Sequence, residues 1–113
     1  MATTLNNPAV PTGILRKDPQ GAVGTWSYAN ITGDTTTTVK TGPGILHTIT
    51  INNPTATEVI TIYDQTSATG NKIGTITIPS SPTPVTLTYD VEFLIALTIV
   101  TATATSDITI SFA

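Results

Sequence analysis

The sequence predicts an all-β protein, folded as an antiparallel β-sandwich of about eight short strands with an extended N-terminal arm. Threonine makes up about a quarter of the 113 residues, and isoleucine and valine dominate the apolar set. These β-branched side chains suit a pleated sheet. Short segments of alternating polarity recur between turn residues, and no useful stretch has a helical period. The length allows one domain, which we place at residues 22–113.

Residues 1–21 are predicted to form the arm. Pro8, Pro11 and Pro19 break any helix and favour extended backbone before them. Between these prolines lies a short apolar and basic cluster made of Ile14, Leu15, Arg16 and Lys17. Such a segment can be a disordered terminus, or it can become ordered on the surface of a partner. The sequence leaves both interpretations open.

The strands follow in order from Val23. The eight predicted segments are 23–29, 35–40, 45–52, 58–64, 73–78, 85–89, 92–101 and 107–112. The second is polar and is expected at a sheet edge, and Gly74 indicates a bulge in the fifth. The seventh is apolar on both faces, so we expect it to be central or covered on both sides.

One face of each strand is expected to supply the core. The predicted core residues are Ile49, Ile51, Ile60, Ile62, Ile76, Ile78, Leu87, Phe93, Ile95, Leu97, Ile99, Ile108 and Ile110. The spacing of the strands is typical of a sandwich with Greek-key connections, either jelly-roll or immunoglobulin-like. The sequence does not distinguish these two connections.

Composition argues against several classes of function. The net charge is −3 with only four basic residues, which form no stripe, so we expect no nucleic-acid partner. The absence of cysteine excludes disulfide and thiolate chemistry. The longest apolar run, from Phe93 to Leu97, is too short to span a bilayer, and we expect no membrane partner. The first residues lack the basic and apolar regions of an export signal, so Sec export is not expected.

The most polar stretch of the second half is IYDQTSATGNKIG, residues 62–74. Asp64, Ser67, Gly70 and Asn71 are turn formers at the positions where a turn is needed. A calcium loop requires several acids at alternating positions, and this stretch has Asp64 alone. We therefore predict a connector between two strands.

His47 is the only histidine and the natural candidate for a general base. No serine or threonine lies on a recognisable nucleophile motif, and His47 shares strand parity with Ile45, Ile49 and Ile51. We predict a packed or interface histidine. With one histidine, no cysteine and scattered acids, we expect no catalytic residue, no metal site and no cofactor.

Asp90 and Glu92 flank Val91 and could act as paired carboxylates. Alternation places both on one face, with Tyr89 and Phe93 on the other. Paired carboxylates of glycosidases usually come from separate segments that face each other across a bound sugar. A solvated strand end is therefore predicted.

Three stretches from residue 39 onward resemble a family of small virion proteins of tailed bacteriophages. They are VKTGPGILHTITINN, TIYDQTSATGNKIGTITIP and LTYDVEFLIALTIVTATATSDITISF. The first stretch contains a Gly-x-Leu-His-x-Ile strand. The second contains a Tyr-Asp turn, after which the next strand begins at Gly-x-Lys-Ile-Gly. The third contains a Tyr-Asp-x-x-Phe corner and a final Asp-Ile-Thr-Ile strand. The resemblance covers about two-thirds of the chain. Members often carry a glycine after the phenylalanine, where this chain has Leu94-Ile95-Ala96.

The resemblance implies a capsid decoration, or cement, protein on the surface of the phage head, made in the cytoplasm of the host bacterium. Such proteins commonly form homotrimers and clamp neighbouring copies of the major capsid protein, often through an extended arm. The arm residues Pro8 to Lys17 fit that role here, and Trp26, Tyr28 and His47 are candidate interface residues.

Two other classes of function remain open. A tail, fibre or carbohydrate-binding adhesion module would need exposed aromatic side chains grouped on one surface, with Trp26, Tyr28, Tyr63 and Tyr89 as candidates. A small hydrolase would need His47 in a cleft beside a serine and an acid.

Overall fold

The computed structural model describes residues 26–113, which form eight β-strands and no helix. The strands are β1 (Ser27–Ile31), β2 (Thr36–Thr41), β3 (Gly44–Asn53), β4 (Val59–Asp64), β5 (Lys72–Thr77), β6 (Val85–Phe93), β7 (Ala96–Ala102) and β8 (Asp107–Phe112). The predicted all-β class is confirmed. Of the first predicted strand, residues 23–25 lie outside the described part, and β1 extends to Ile31.

The strands make two antiparallel sheets that pack as a sandwich. The first sheet has the order β1-β8-β3-β6 and the second has the order β2-β7-β4-β5. The strand pairs are nested along the chain. The β4–β5 hairpin is innermost, and the pairs β3–β6, β2–β7 and β1–β8 enclose it in turn. The chain crosses between the sheets at every connection except the one from β4 to β5. This is the jelly-roll connection, which decides between the two alternatives that the sequence left open.

Each end of the sandwich collects a different set of connections. One end of the sandwich holds the start of β1, the β2–β3 turn, the β4–β5 loop and the β6–β7 turn. We call it the Leu94 end. We call the opposite end, which holds the start of β6 and the loop before it, the Val85 end. This distinction matters below because the exposed apolar side chains are unevenly divided between the two ends.

Alternation along the strands builds one core between the sheets. In β4, for example, Ile60 and Ile62 are fully buried while their neighbours in the strand are partly exposed. The buried cluster consists of Ile31, Leu46, Ile49, Ile51, Ile60, Ile62, Ile78, Phe93, Leu97, Ile99, Ile108 and Ile110. Ile76 and Leu87, which were predicted in the core, are half-buried and pack against it. Ile31 and Leu46 belong to the core although the sequence did not indicate them.

One predicted strand is wrong. Residues 92–101 were expected to be continuous, but Glu92 and Phe93 end β6, and β7 begins only at Ala96. Leu94 and Ile95 form the turn between the two sheets, and Ile95 is 41% exposed instead of buried. No glycine, proline or other turn former marks this turn in the sequence, so periodicity alone could not place it.

Other expectations for single elements are confirmed. β2 is an edge strand, and β7 is central in its sheet. The outer face of β7 is covered at Thr98, whose hydroxyl donates a 2.6 Å hydrogen bond to the carbonyl of Gln65. The register between β4 and β5 shifts directly beside Gly74, which is the bulge that this glycine indicated.

Candidate functional site

His47 lies on the outer face of the first sheet, and not on the face of Ile49 and Ile51 as predicted. The ladders on both sides of β3 shift register between Leu46 and Thr48. These irregularities turn Leu46 into the core and His47 outward, because an extra residue reverses the alternation. The correction therefore comes from backbone pairing that periodicity does not reveal.

Asp90 and Trp26 hold the imidazole of His47. Nδ1 of His47 contacts the Asp90 carboxylate, and Asp90 adopts a left-handed backbone conformation with φ of +49° at the register shift. The indole of Trp26 stacks on the imidazole with ring centroids 4.3 Å apart and planes inclined by 10°. His47 is therefore packed against Trp26 at the surface and not in the core.

The His47–Asp90 pair places a base beside an acid, and no hydroxyl group among residues 26–113 is hydrogen-bonded to the imidazole. Within residues 26–113, the only side-chain hydrogen bond recorded for His47 is the one with Asp90. A serine or threonine nucleophile would have to lie within hydrogen-bond reach of the imidazole. The arrangement of the described residues therefore gives the hydrolase interpretation no support.

Aromatic and hydroxyl side chains share the outer face of the first sheet. Tyr28 is 76% exposed and lies beside Ser111, which in turn lies beside Thr48 of β3. Trp26, two residues earlier and 38% exposed, points to the same side. The result is a face of small polar side chains with two aromatic rings along one edge.

A hydrogen-bond network fixes the other end of this face. Nδ2 of Asn30 donates to Oδ1 of Asp107 at 2.7 Å, and Nδ2 of Asn52 donates to the same oxygen at 3.1 Å. The hydroxyls of Thr50 and Thr86 are 3.1 Å apart across β3 and β6. These hydrogen bonds hold the side chains on this part of the face in defined orientations.

The polar stretch at residues 62–74 is a connector between β4 and β5, as predicted, and it also braces another part of the molecule. The carboxylate of Asp64 accepts hydrogen bonds from the backbone N–H groups of Leu94, Ile95 and Ala96, at 3.0, 2.8 and 3.3 Å. The bond from Leu94, together with those from Ile95 and Ala96, lowers the pKa of Asp64 below its usual value of 3.8, against a smaller opposing effect of burial. The sequence showed Asp64 as a turn former but gave no sign of this partner.

The turn that Asp64 braces presents two aliphatic side chains to solvent. Leu94 is 66% exposed and Ile95 is 41% exposed. The backbone N–H of Gly42, in the β2–β3 turn, donates a 2.8 Å hydrogen bond to the carbonyl of Ile95. We call Leu94 and Ile95 the apolar tip.

Glu58 is a buried acid immediately before β4. Its side chain is fully buried, on the same side of the strand as Ile60 and Ile62. Neither carboxylate oxygen has a hydrogen-bond partner within the part of the chain that the structure describes. Burying a carboxylate without a partner is costly, so Glu58 is a weak point of the fold.

An apolar cleft of about 300 Å³ lies at the Val85 end, where the edge strands β5 and β6 approach each other. It is lined by Ile51, Pro54, Ile76, Thr77, Ile78, Pro79, Ser81, Pro82, Thr83, Val85 and Leu87. None of these residues is ionisable, so the cleft can pack against apolar groups but offers no acid–base chemistry.

The predicted site residues are only partly within the structure. Pro8, Pro11, Ile14, Leu15, Arg16 and Lys17 lie outside the described residues. Trp26, Tyr28 and His47 are brought together on one face, and Asp90 and Glu92 lie at its margin with Tyr89 and Phe93 turned inward, as predicted.

Residues 26–113 contain no group of three or more His, Cys, Asp or Glu side chains placed to hold a metal ion. No helix in this part of the chain is long and apolar enough to cross a membrane. No protein-family model, curated protein or solved structure matches the chain.

Proposed function

We propose that this protein is a structural component of a virion, a decoration or cement protein that binds the assembled head of a tailed phage and stabilises it by protein–protein contacts, without catalysis. The resemblance of its three stretches to small phage virion proteins motivates the proposal. The jelly-roll fold is compatible with it, since viral capsid and lectin domains use this fold. A fold alone does not specify a function, so the argument depends on the surface.

The observation that carries the proposal is the distribution of exposed apolar side chains. Within residues 26–113, the large exposed ones are Trp26, Tyr28, Val85, Leu94 and Ile95. All but Val85 lie at or next to the Leu94 end. An interaction surface at the Leu94 end would require exposed apolar groups there, and this distribution supplies them. The N-terminal segment joins the sandwich at the same end, immediately before Trp26.

In this proposal the major capsid protein is the partner, the protein acts as a homotrimer on the head surface, and residues 1–21 form a binding arm. Removal of residues 1–20 should leave the sandwich folded, because both sheets and the core lie within residues 26–113. It should weaken attachment to heads. Full attachment of the truncated protein, measured by co-sedimentation, would exclude the arm's role.

Copy number in purified virus particles tests the proposal most directly. Quantitative mass spectrometry against the major capsid protein should give hundreds of copies, in a simple ratio to capsid subunits. A handful of copies would place the protein in the tail or a fibre. Its absence from particles would overturn the virion assignment.

A second candidate function is adhesion to carbohydrate, and the grouping of Trp26 and Tyr28 on one face favours it. Aromatic rings on the same face as oriented hydroxyl and amide groups are suited to stacking on sugars and hydrogen-bonding to them. Glycan-array binding that is lost in Tyr28→Ala but kept in Tyr63→Ala, on the other sheet, would support this function. A low copy number would point in the same direction.

A further inference from the structure

A small group of polar side chains is buried in the core at the Val85 end of the sandwich. Among residues 26–113, four polar or charged side chains are buried, and three of them are Glu58, Thr101 and Ser106. Glu58 directly precedes β4 on the side of the buried Ile60, and Ser106 directly precedes β8 on the side of the buried Ile108. Both strands begin at the Val85 end and belong to facing sheets, so the two side chains enter the interior from opposite sides. We call Glu58, Thr101 and Ser106 the polar layer.

Glu58 is the unpaired member of the polar layer. Oγ1 of Thr101 donates a 2.6 Å hydrogen bond to the carbonyl of Gly33, and Oγ of Ser106 accepts a 2.7 Å hydrogen bond from the backbone N–H of Thr55. Neither carboxylate oxygen of Glu58 has a hydrogen-bond partner within residues 26–113. A buried polar group without a partner in a native structure requires an explanation, and a bound ion is one of the few available.

No lysine or arginine of the described range is placed to neutralise this carboxylate. Residues 26–113 contain two lysines and no arginine. Lys40 is the second-last residue of β2 and Lys72 begins β5, so both lie at the Leu94 end. An ionised carboxylate is costly to bury alone, and buried charges in proteins are either paired or bound to a metal ion. Glu58 therefore indicates a positively charged ligand.

The two loops beside Glu58 supply further oxygen atoms. Extending the β4–β7 register by one step beyond Val59 and Ala102 places Glu58 opposite Thr103. Oγ1 of Thr103 donates a 2.8 Å hydrogen bond to the carbonyl of Thr57, so the β3–β4 and β7–β8 loops are joined next to Glu58. Carboxylate and carbonyl oxygens are the ligands that hard cations prefer.

We propose that the polar layer binds a monovalent hard cation, sodium or potassium, through the Glu58 carboxylate, the Ser106 hydroxyl and carbonyl oxygens of the two adjoining loops. The valence follows from the charge. One carboxylate and one monovalent ion form a neutral pair, whereas a divalent ion would leave a net positive charge in the core, which is costly. The lack of any group of three or more His, Cys, Asp or Glu side chains within residues 26–113 also argues against a zinc or calcium site.

The experiment compares thermal unfolding of the full-length protein in sodium chloride, potassium chloride, calcium chloride and choline chloride at equal ionic strength. An ion that binds only the folded state raises the melting temperature, and choline is too large for the polar layer. The test variant is Glu58→Gln, which keeps the shape of the side chain and removes its charge. The matched control is Asp34→Asn, because Asp34 is an exposed acid in the β1–β2 connection at the same end.

We expect the unchanged protein and Asp34→Asn to melt at least about 3 °C higher in the sodium or the potassium salt than in choline chloride. Glu58→Gln should melt at the same temperature in all four salts. Because the carboxylate burdens the fold only while the ion is absent, removing it should improve stability only in choline chloride. Equal melting of the unchanged protein in all four salts would overturn the inference, and so would a sodium or potassium effect that persists in Glu58→Gln. Stabilisation by calcium alone would overturn the monovalent assignment.

A direct measurement covers the case in which Glu58→Gln does not fold. Sodium-23 relaxation in a solution of the unchanged protein should show saturable broadening that potassium displaces. The same measurement on Ser106→Ala, which removes one proposed ligand, should show weaker binding, whereas Asp34→Asn should bind like the unchanged protein. Absence of saturable broadening, together with absence of potassium-dependent melting, would overturn the site.

Discussion

The carboxylate of Asp64 accepts a 2.8 Å hydrogen bond from the backbone N–H of Ile95, which joins the end of β4 to the turn between β6 and β7. The two residues are 31 positions apart. One acid thus links the polar connector between β4 and β5 to the apolar turn between β6 and β7. The stability of this turn should depend on the charge of Asp64.

Asp64→Asn is expected to lower the free energy of unfolding at pH 7 by about 1 kcal/mol. Hydrogen bonds to a charged acceptor are stronger than those to a neutral one, but solvent screens the exposed Asp64 carboxylate and reduces the difference. Because the folded-state pKa of Asp64 is lowered, its contribution is present above the unfolded-state pKa near 4. It is lost as the pH falls through the folded-state pKa. Urea unfolding at pH 7 and at progressively lower pH below 4 should show the difference between the two proteins shrinking. Asp34→Asn, at an exposed acid, is the control, and a difference that stays constant with pH would contradict this role.

The sequence predicted that Ile95 and Leu97 both lie in the core. In the structure Ile95 belongs to the turn between β6 and β7, and only Leu97 is in the core. Leu97→Ala should cost about 2–5 kcal/mol, because Leu97 is fully buried. Ile95→Ala should change stability by less than about 0.5 kcal/mol, because its side chain is largely outside the core. Equal losses in chemical denaturation would show that residues 92–101 behave as the continuous strand that periodicity predicts.

The alternation of apolar and polar residues was sufficient to predict which face of several strands is buried. Ile60 and Ile62, and likewise Ile108 and Ile110, alternate with polar residues, and all four are buried. The same alternation placed Asp90 on the solvent face. These predictions succeed because a period of two depends only on neighbouring residues.

The parts that could not be predicted depend on distant partners. The turn after Phe93 is braced by Asp64, and the outward position of His47 follows from register shifts against β6 and β8. The jelly-roll order likewise depends on long-range pairing. Of the candidate site, alternation can place Trp26 and Tyr28 on one face, but not their position beside His47.

Gly44 tests how closely β3 packs at the Leu94 end. A Cβ at this position would overlap the carbonyl oxygen of Ala113 and would lie 2.7 Å from Cζ of Phe93. Gly44→Ala should therefore destabilise the protein by about 1–3 kcal/mol through overpacking. Gly33→Ala should be nearly neutral, since no atom lies within 4 Å of its added Cβ. Thermal unfolding of the two variants provides the comparison, and an unaffected Gly44→Ala would contradict the close packing.

Glu58 offers the opposite case, in which a substitution should improve the fold. Glu58→Met keeps a similar length and removes two buried oxygens that have no partner among residues 26–113. We expect a gain of about 1–3 kcal/mol, because the desolvation of an unpaired polar group is no longer required. Glu92→Met, at an exposed position, should stay within about 0.5 kcal/mol of the unchanged protein. Equilibrium unfolding in urea measures both, and a loss of stability in Glu58→Met would contradict this prediction.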